Sequence, residues 1–492
     1  MTSIATQLLM DTSRQRISPS AEQDVSTQRA GDSQTPQTDG SPIIADDATV
    51  GDTVTLSAEA RKMATTKQSQ HDSKSPSDAA DKQQLQSASG SKGNTLLVGT
   101  ATTQSGRKVE ISQYTASTAG NGPQSGNLLV TISGNDKNAE QRFLLTGDTM
   151  LNEDANGVLS VSSYKAGQET SSDDIIIGVS GAMLSGGGGN DTIYDFSATG
   201  AESIRGGDGN DTIIMAGSSI GGTIDAGNGN DAVIVAHNVF GGSITLGDGN
   251  DVLLTTNINS ANIDTGDGND VISASVIGGA GQVNITTGAG NDLIDASYIG
   301  MGESQVNIDT GDGNDMIRSS WIGLGAGGAQ QVNIQTGKGN DTVSSSWIGT
   351  SAGGGKSQVN IDTGEGNDHV SSSWIGTSIN GGKSQVNIAT GSGNDSVGAT
   401  WLGTSIGGGN SQVNIDSGSG NDIVSANMAG SSFFGGSSQV NVDTGSGDDA
   451  VNVGTIGLTL DANAKRKSLL TLVLNVDSTK RSDATGKIQD YV

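Results

Sequence analysis

This chain predicts an all-β fold, a right-handed parallel β-solenoid of about twelve coils, and three observations lead there. A short turn, Gly-x-Gly-Asn-Asp (Asp-Asp in the last copy), recurs twelve times between Gly186 and Asp449, with Ile, Val or Leu two residues after each aspartate. Successive aspartates lie 20, 20, 20, 19, 22, 23, 26, 27, 27, 27 and 27 residues apart, the period of a unit that buries its apolar side only by stacking on its neighbours. Aromatic residues make up only 3% of the 492 positions while glycine fills 76, which leaves little material for a thick conventional core.

Taken in order, residues 1–92 are rich in Ser, Thr, Gln, Asp and Ala and hold no aromatic residue. Such a stretch buries too little apolar surface to offset ordering entropy, and a disordered leader is expected. From 93 to 172 short β-like runs (95–98, 109–114, 128–132, 143–145 and 158–161) alternate with Gly, Asn and Asp turns, the texture of a small β region or N-terminal cap. Asp173-Asp174-Ile175-Ile176-Ile177-Gly178 reads as a degenerate first coil, and 173–454 as the solenoid.

A late coil, residues 357–376, displays the parts of the repeat. Val359 and Ile361 alternate with polar residues as a half-buried strand requires, a glycine turn carries Asn367 and Asp368, and a second strand starts at Val370. A Gly/Ser-rich loop through Gly382 closes the circuit, so two short strands per coil are expected. At roughly 4.8 Å per coil the stack is about 55 Å long. Lengthening from about 20 to 27 residues should widen the cross-section or extend the loop opposite the turn. Residues 455–492, with the apolar run 469–474 behind Lys465-Arg466-Lys467, read as a C-terminal cap over the exposed strand edges, ending in a candidate secretion signal.

The formal charge of -28 is concentrated in the repeats, where residues 181–454 carry 28 acidic and 5 basic side chains. Nucleic acid and anionic membranes are repelled by such a body, and multivalent cations are drawn to it. Without cysteine there are neither disulfides nor thiolate metal sites. No early apolar run exceeds Leu8-Leu9-Met10, so neither a cleavable signal peptide nor a transmembrane segment is expected.

The turn itself has the chemistry of a calcium site. Its glycines let the backbone turn carbonyl oxygens inward, and the aspartate adds a hard anionic oxygen at a fixed offset. One turn offers too few oxygens for six to eight ligands, but two stacked turns can clamp an ion between them. A column of carboxylates about 5 Å apart repels by about 3 kcal/mol per neighbouring pair at an effective dielectric near 20. Bound cations would reverse that sign and couple metal binding to folding. The alternative for Asn190, Asn210 and their successors is an amide ladder that needs no ion.

These residues resemble the RTX calcium-binding family, whose nonapeptide is Gly-Gly-x-Gly-x-Asp-x-U-x with a large apolar U. Residues 186–194 (GGGGNDTIY) and 206–214 (GGDGNDTII) match it fully, while the other ten copies replace the first Gly by Thr, Ala, Leu or Ser. The resemblance implies calcium held by turn carbonyls and by the side chains of Asp191, Asp211, Asp231, Asp251, Asp270, Asp292, Asp315, Asp341, Asp368, Asp395, Asp422 and Asp449. Only one nonapeptide falls in each coil here, against two in the family's common roll, which implies a single calcium column with about eleven inter-coil sites. This one-sided format is similar to calcium-dependent solenoids of giant bacterial adhesins, some of which bind ice through a Thr row between the two glycines. Here that position runs from Gly188, Asp208 and Asn228 to Ser392, Ser419 and Ser446 without any Thr.

Two further rows repeat with the coils. Tyr298, Trp321, Trp347, Trp374 and Trp401 should stack along one face; Val343 and Val370, four residues before Trp347 and Trp374, place the row on the buried side. If exposed instead, it would suit sugar rings. Asn307, Asn333, Asn360, Asn387 and Asn414 face away from the flanking Val and Ile as a solvated ladder. His71, His237 and His369 assemble no catalytic constellation, so no enzyme is expected. The expectation is a secreted, extracellular calcium-binding solenoid with a structural or adhesive role, its partners calcium and a cell-surface or host target or a carbohydrate. Asp490-Tyr491-Val492 resembles uncleaved type I export ends, whereas the leader resembles type III substrates and the composition is similar to harpins, the alternative of a host-directed effector.

Overall fold

The computed structural model describes residues 95–115, 126–134, 139–154, 157–167, 169–197, 203–457, 459–460, 469–477 and 487–488. The expected leader and the C-terminal tripeptide lie outside the described residues. No helix among the described residues is long and apolar enough to cross a membrane.

Strands Thr95–Thr102, Lys108–Tyr114, Leu128–Ile132 and Gln141–Leu144 pair in sequence order as an antiparallel sheet. Its inner residues Val109, Ile111, Val130 and Ile132 pack with Leu151, Ile175, Ile177, Tyr194 and Ile214, which belong to the hairpin and coils that follow. The Tyr194 hydroxyl donates to the Thr100 carbonyl at 2.6 Å. Gly99 is required beneath that ring, because a Cβ there would lie 2.8 Å from Tyr194 Cε1. The change to parallel pairing occurs at Asp174–Gly178, antiparallel to Thr149–Glu153 on one edge and parallel to Thr192–Asp195 on the other.

Beyond that point the chain is a parallel β-solenoid. One side is a sheet of thirteen strands running from Leu184–Gly188 to Leu469–Asp477. The last strand adds a rung after the twelfth glycine turn by pairing with Ser437–Ser446. In the late coils each residue stacks on its own kind: Val359 on Val386, Asn360 on Asn387, Ile361 on Ile388. Val359 and Ile361 from this sheet meet Val370 and Ile375 from the opposite side, and all four are essentially inaccessible. The core is thus a thin two-sheet slab, consistent with the scarcity of aromatic residues.

The second strand of the late coils differs from the sequence expectation. It runs His369–Ile379, 11 residues, where the early coils have Thr212–Met215, 4 residues. Most of the expected Gly/Ser loop is therefore strand. Ser and Thr sustain it because Thr377 and Ser378 face inward at 1% and 0% exposure, and Ser378 Oγ–H donates to the Gly382 carbonyl at the corner, 2.7 Å away. Coil lengthening has widened the cross-section rather than extended a loop.

Candidate metal column

The glycine turn is where the coils approach most closely. Gly364 and Gly366 have φ of 86° and 148°, and a Cβ on Gly366 would sit 1.4 Å from the Gly339 carbonyl oxygen one coil earlier. No L-residue with a side chain fits there, which explains why this glycine recurs in every copy. Glu365 N–H donates to the Gly337 carbonyl and Gly366 N–H to the Ser392 carbonyl, so each turn is zipped to the coils on both sides.

With the turns in register, the aspartate following each Asn is drawn inside. Its Oδ1 accepts the backbone N–H of the aspartate one coil earlier, from Asp191 to Asp211 at 2.7 Å through to Asp422 to Asp449 at 3.0 Å, eleven bonds in all. All twelve sequence-predicted aspartates stand in this one column, each at most 5% exposed. The second oxygen, Oδ2, is buried without a hydrogen-bond partner in eleven of them. The exception is Asp292, which accepts from the Thr287 hydroxyl at 2.5 Å. None of the three ion pairs among the described residues reaches the column.

Burial without a countercharge raises the carboxyl pKa of the column from Asp191 to Asp422. Desolvation is the largest cause throughout, lifting Asp191 and Asp251 to about 8, Asp211, Asp270 and Asp315 to about 7, and Asp231 and Asp292 to about 6. Neighbouring carboxylates add to the rise, as Asp231 and Asp270 do for Asp251. Asp341, Asp368, Asp395 and Asp422 are raised by burial too, while Thr336, Thr363, Thr390 and Ser417 hydroxyls beside them pull the other way.

The outer position of the turn behaves differently. From Asn210 onward each turn Asn sends its N–H to the Oδ1 of the Asn one coil earlier, as from Asn367 to Asn340 at 2.9 Å, and most add an Nδ2–H bond to the same oxygen. This is the amide ladder, complete without an ion. The sequence listing of candidate ligands also missed one member of the inner column. Asp174 N–H donates to Asp191 Oδ1 at 2.7 Å, and Asp173 accepts from Asn190, as an Asn-Asp pair would. The pair Asp173-Asp174 ahead of Ile175-Ile176 was the available signal, obscured because Thr170 and Ser172 replace the glycines. Both Asp174 oxygens are satisfied by neutral donors, Asn152 Nδ2 and the Thr170 hydroxyl, each at 2.6 Å.

Among the described residues no group of three or more His, Cys, Asp or Glu side chains converges on a point, so an ion here cannot be held by side chains alone. The available donors are the buried Oδ2 atoms and backbone carbonyls of the turn, all hard oxygens, with neither thiolate nor imidazole. That donor set fits calcium or magnesium and not zinc or copper.

The tryptophan row is half-buried, not buried. Trp321, Trp347, Trp374 and Trp401 stack face to face with centroids 4.8, 4.8 and 4.7 Å apart and planes within 4°. The face argument from Val370 fails because Ser372 interrupts the alternation: its Oγ accepts the Trp374 N–H at 3.3 Å and donates to the Trp374 carbonyl at 3.0 Å. Indole faces cover one another, Phe433 lies tilted against Trp401 with centroids 6.2 Å apart, and Tyr298 is the strand neighbour of Trp321, so the row offers edges rather than faces to solvent. The Asn row is a ladder on the opposite sheet, half-buried, with Nδ2–H to Oδ1 bonds of 2.7 Å such as Asn387 to Asn360.

Fold and site together define a parallel β-solenoid with a buried aspartate column. No family model matches the chain, and no curated protein does. Among solved structures it is similar to a hyperactive, Ca2+-dependent, β-helical antifreeze protein from an Antarctic bacterium, at 20% identity and a TM-score of 0.33 over 60% of this chain and 78% of that one. The chemistry of the column rests on this chain's own residues.

Proposed function

We propose that the chain is a calcium-stapled β-solenoid, non-enzymatic, with a structural or adhesive role outside the cell. The observation that carries this is the orphaned Oδ2 in eleven of the twelve column aspartates. If the inner side chain served only to accept the N–H of an adjacent coil, Asn would do so without charge, as the outer Asn does for the coil that follows it at every outer position but the last. Instead the inner position is Asp in all twelve copies, with the second oxygen buried and unmatched in eleven of them. A divalent cation supplies the missing compensation for a buried carboxylate. Asp191 through Asp449, with turn carbonyls, would hold the ions, and the ions would supply charge neutralisation and cross-coil bonding. A chain of this design stays extended and self-repelling where calcium is scarce and closes where calcium is abundant, which suits folding after export.

Far-UV circular dichroism of the full chain during a calcium titration, with magnesium in parallel, tests the proposal. A cooperative gain of β signal with calcium is expected. A spectrum already complete after exhaustive chelation at neutral pH, and unmoved by calcium, would remove the stapling role.

A further inference from the structure

We propose that the calcium requirement is concentrated in the first four coils, those of Asp191, Asp211, Asp231 and Asp251, and that later coils close with less help from the ion. The inference rests on calcium binding as proposed above and adds where along the rod the ion is needed.

The position five residues before each aspartate aims its side chain at Oδ2. At Gly186 and Gly206 a Cβ would lie 2.0 and 2.3 Å from Oδ2 of Asp191 and Asp211. In the first four coils that position is Gly186, Gly206, Ala226 and Leu246, none able to donate a hydrogen bond. From the Asp270 coil onward it is Thr or Ser in every copy. Thr287 shows the consequence, its hydroxyl donating to Asp292 Oδ2 at 2.5 Å. At Thr265, Thr336, Thr363, Thr390 and Ser417 the same hydroxyl faces the carbonyl of the equivalent residue one coil on, as from Thr336 to Thr363 at 3.3 Å. A rotating hydroxyl beside a buried carboxylate supplies a neutral donor where no cation is bound.

Two further sets of contacts are confined to the later coils. The amide ladder of the flat sheet begins only at Asn262, and the stacked indoles begin at Trp321. Both tie neighbouring coils together without an ion, and neither reaches the first four.

Hydrogen exchange of the full chain, followed by mass spectrometry at a series of free calcium concentrations, reads each coil separately. Segments covering Thr212–Met215 and Ala232–Val235 should lose protection at free calcium about tenfold higher than segments covering His369–Ile379 and Ser396–Ile406. Loss of protection at one concentration throughout would overturn the gradation while leaving calcium stapling intact; no calcium response anywhere would overturn both. In a second arm, Thr363→Val should move the opening of its own coil to higher calcium, and Thr363→Ser should leave it in place. Equal behaviour of the two variants would overturn the role of the hydroxyl.

Discussion

Replacing Asp211 by Asn should change the sign of its effect with calcium. In the metal-free protein burial pushes the Asp211 carboxyl up to about 7, well above the usual carboxylate range of about 4, and Asp231, Asp173 and Asp208 nearby add to the rise. A raised folded pKa means that its contribution is fully present below about pH 4 and is lost as pH rises toward 7. At about pH 8 the ionised side chain therefore opposes folding by up to about 4 kcal/mol, three pKa units at about 1.4 kcal/mol each. Asp211→Asn keeps an Oδ1 to accept the Asp191 N–H, now 2.7 Å away, and removes the charge. Part of the gain is lost to an unmatched amide proton, leaving about 2 kcal/mol of stabilisation in chelator. In millimolar calcium the same substitution removes a charged ligand between coils and should destabilise. Local hydrogen exchange over Ser203–Asp208 and Thr212–Met215 measures both conditions. Equal loss of protection with and without calcium would refute the reasoning, since it would make the carboxylate a plain structural acceptor.

Other expectations follow from the same geometry. Gly366→Ala forces a Cβ to within 1.4 Å of the Gly339 oxygen and should cost about 3 kcal/mol or more, read as a lower melting temperature in calcium. Metal-free protein should melt progressively lower as pH rises from about 4 to about 8, the decline ending at about pH 6 for Asp231 and Asp292, about 7 for Asp211 and about 8 for Asp251. Saturating calcium should abolish that decline, because the ion favours the deprotonated form. Trp374→Ala removes two stacked contacts, 4.8 and 4.7 Å between centroids, and should destabilise by about 2 kcal/mol while reducing the coupled-indole signal in near-UV circular dichroism to that of the remaining Trp321–Trp347 pair. An unchanged signal would mean that the rings do not stack in solution.

The repeat made the solenoid and the aspartate column legible because both depend on stacking like on like, and a period is visible in one dimension. Alternation at Val359 and Ile361 fixed which side faces inward. What the sequence hid were departures from alternation and period. Ser372 turns Trp374 outward through two hydrogen bonds to its backbone, an effect that period-2 counting from Val370 cannot register. Asp174 escaped because its coil lacks the glycines, and its membership shows only in the bond to Asp191. The long second strand escaped because Gly, Ser and Thr look like loop until Thr377 and Ser378 are seen stacked inside neighbouring coils.

The distribution of these devices gives the rod a mechanical logic. At its N-terminal end the antiparallel sheet and first coils share an apolar cluster from Val98 to Ala236, and Asp174 is satisfied without metal. At the other end hydroxyls, amides and indoles join the coils from Asp292 to Asp422. The coils of Asp191, Asp211 and Asp231 share that cluster through Tyr194, Ile214 and Ala236, but on the turn side their aspartates, with Asp251, face Gly186, Gly206, Ala226 and Leu246. In a linear array each coil is held only by its own stability and that of its two interfaces. The weakest interfaces therefore open first, whichever end folds first. Calcium withdrawal should then loosen an interior section while both flanks hold, turning one stiff rod into two bodies on a tether.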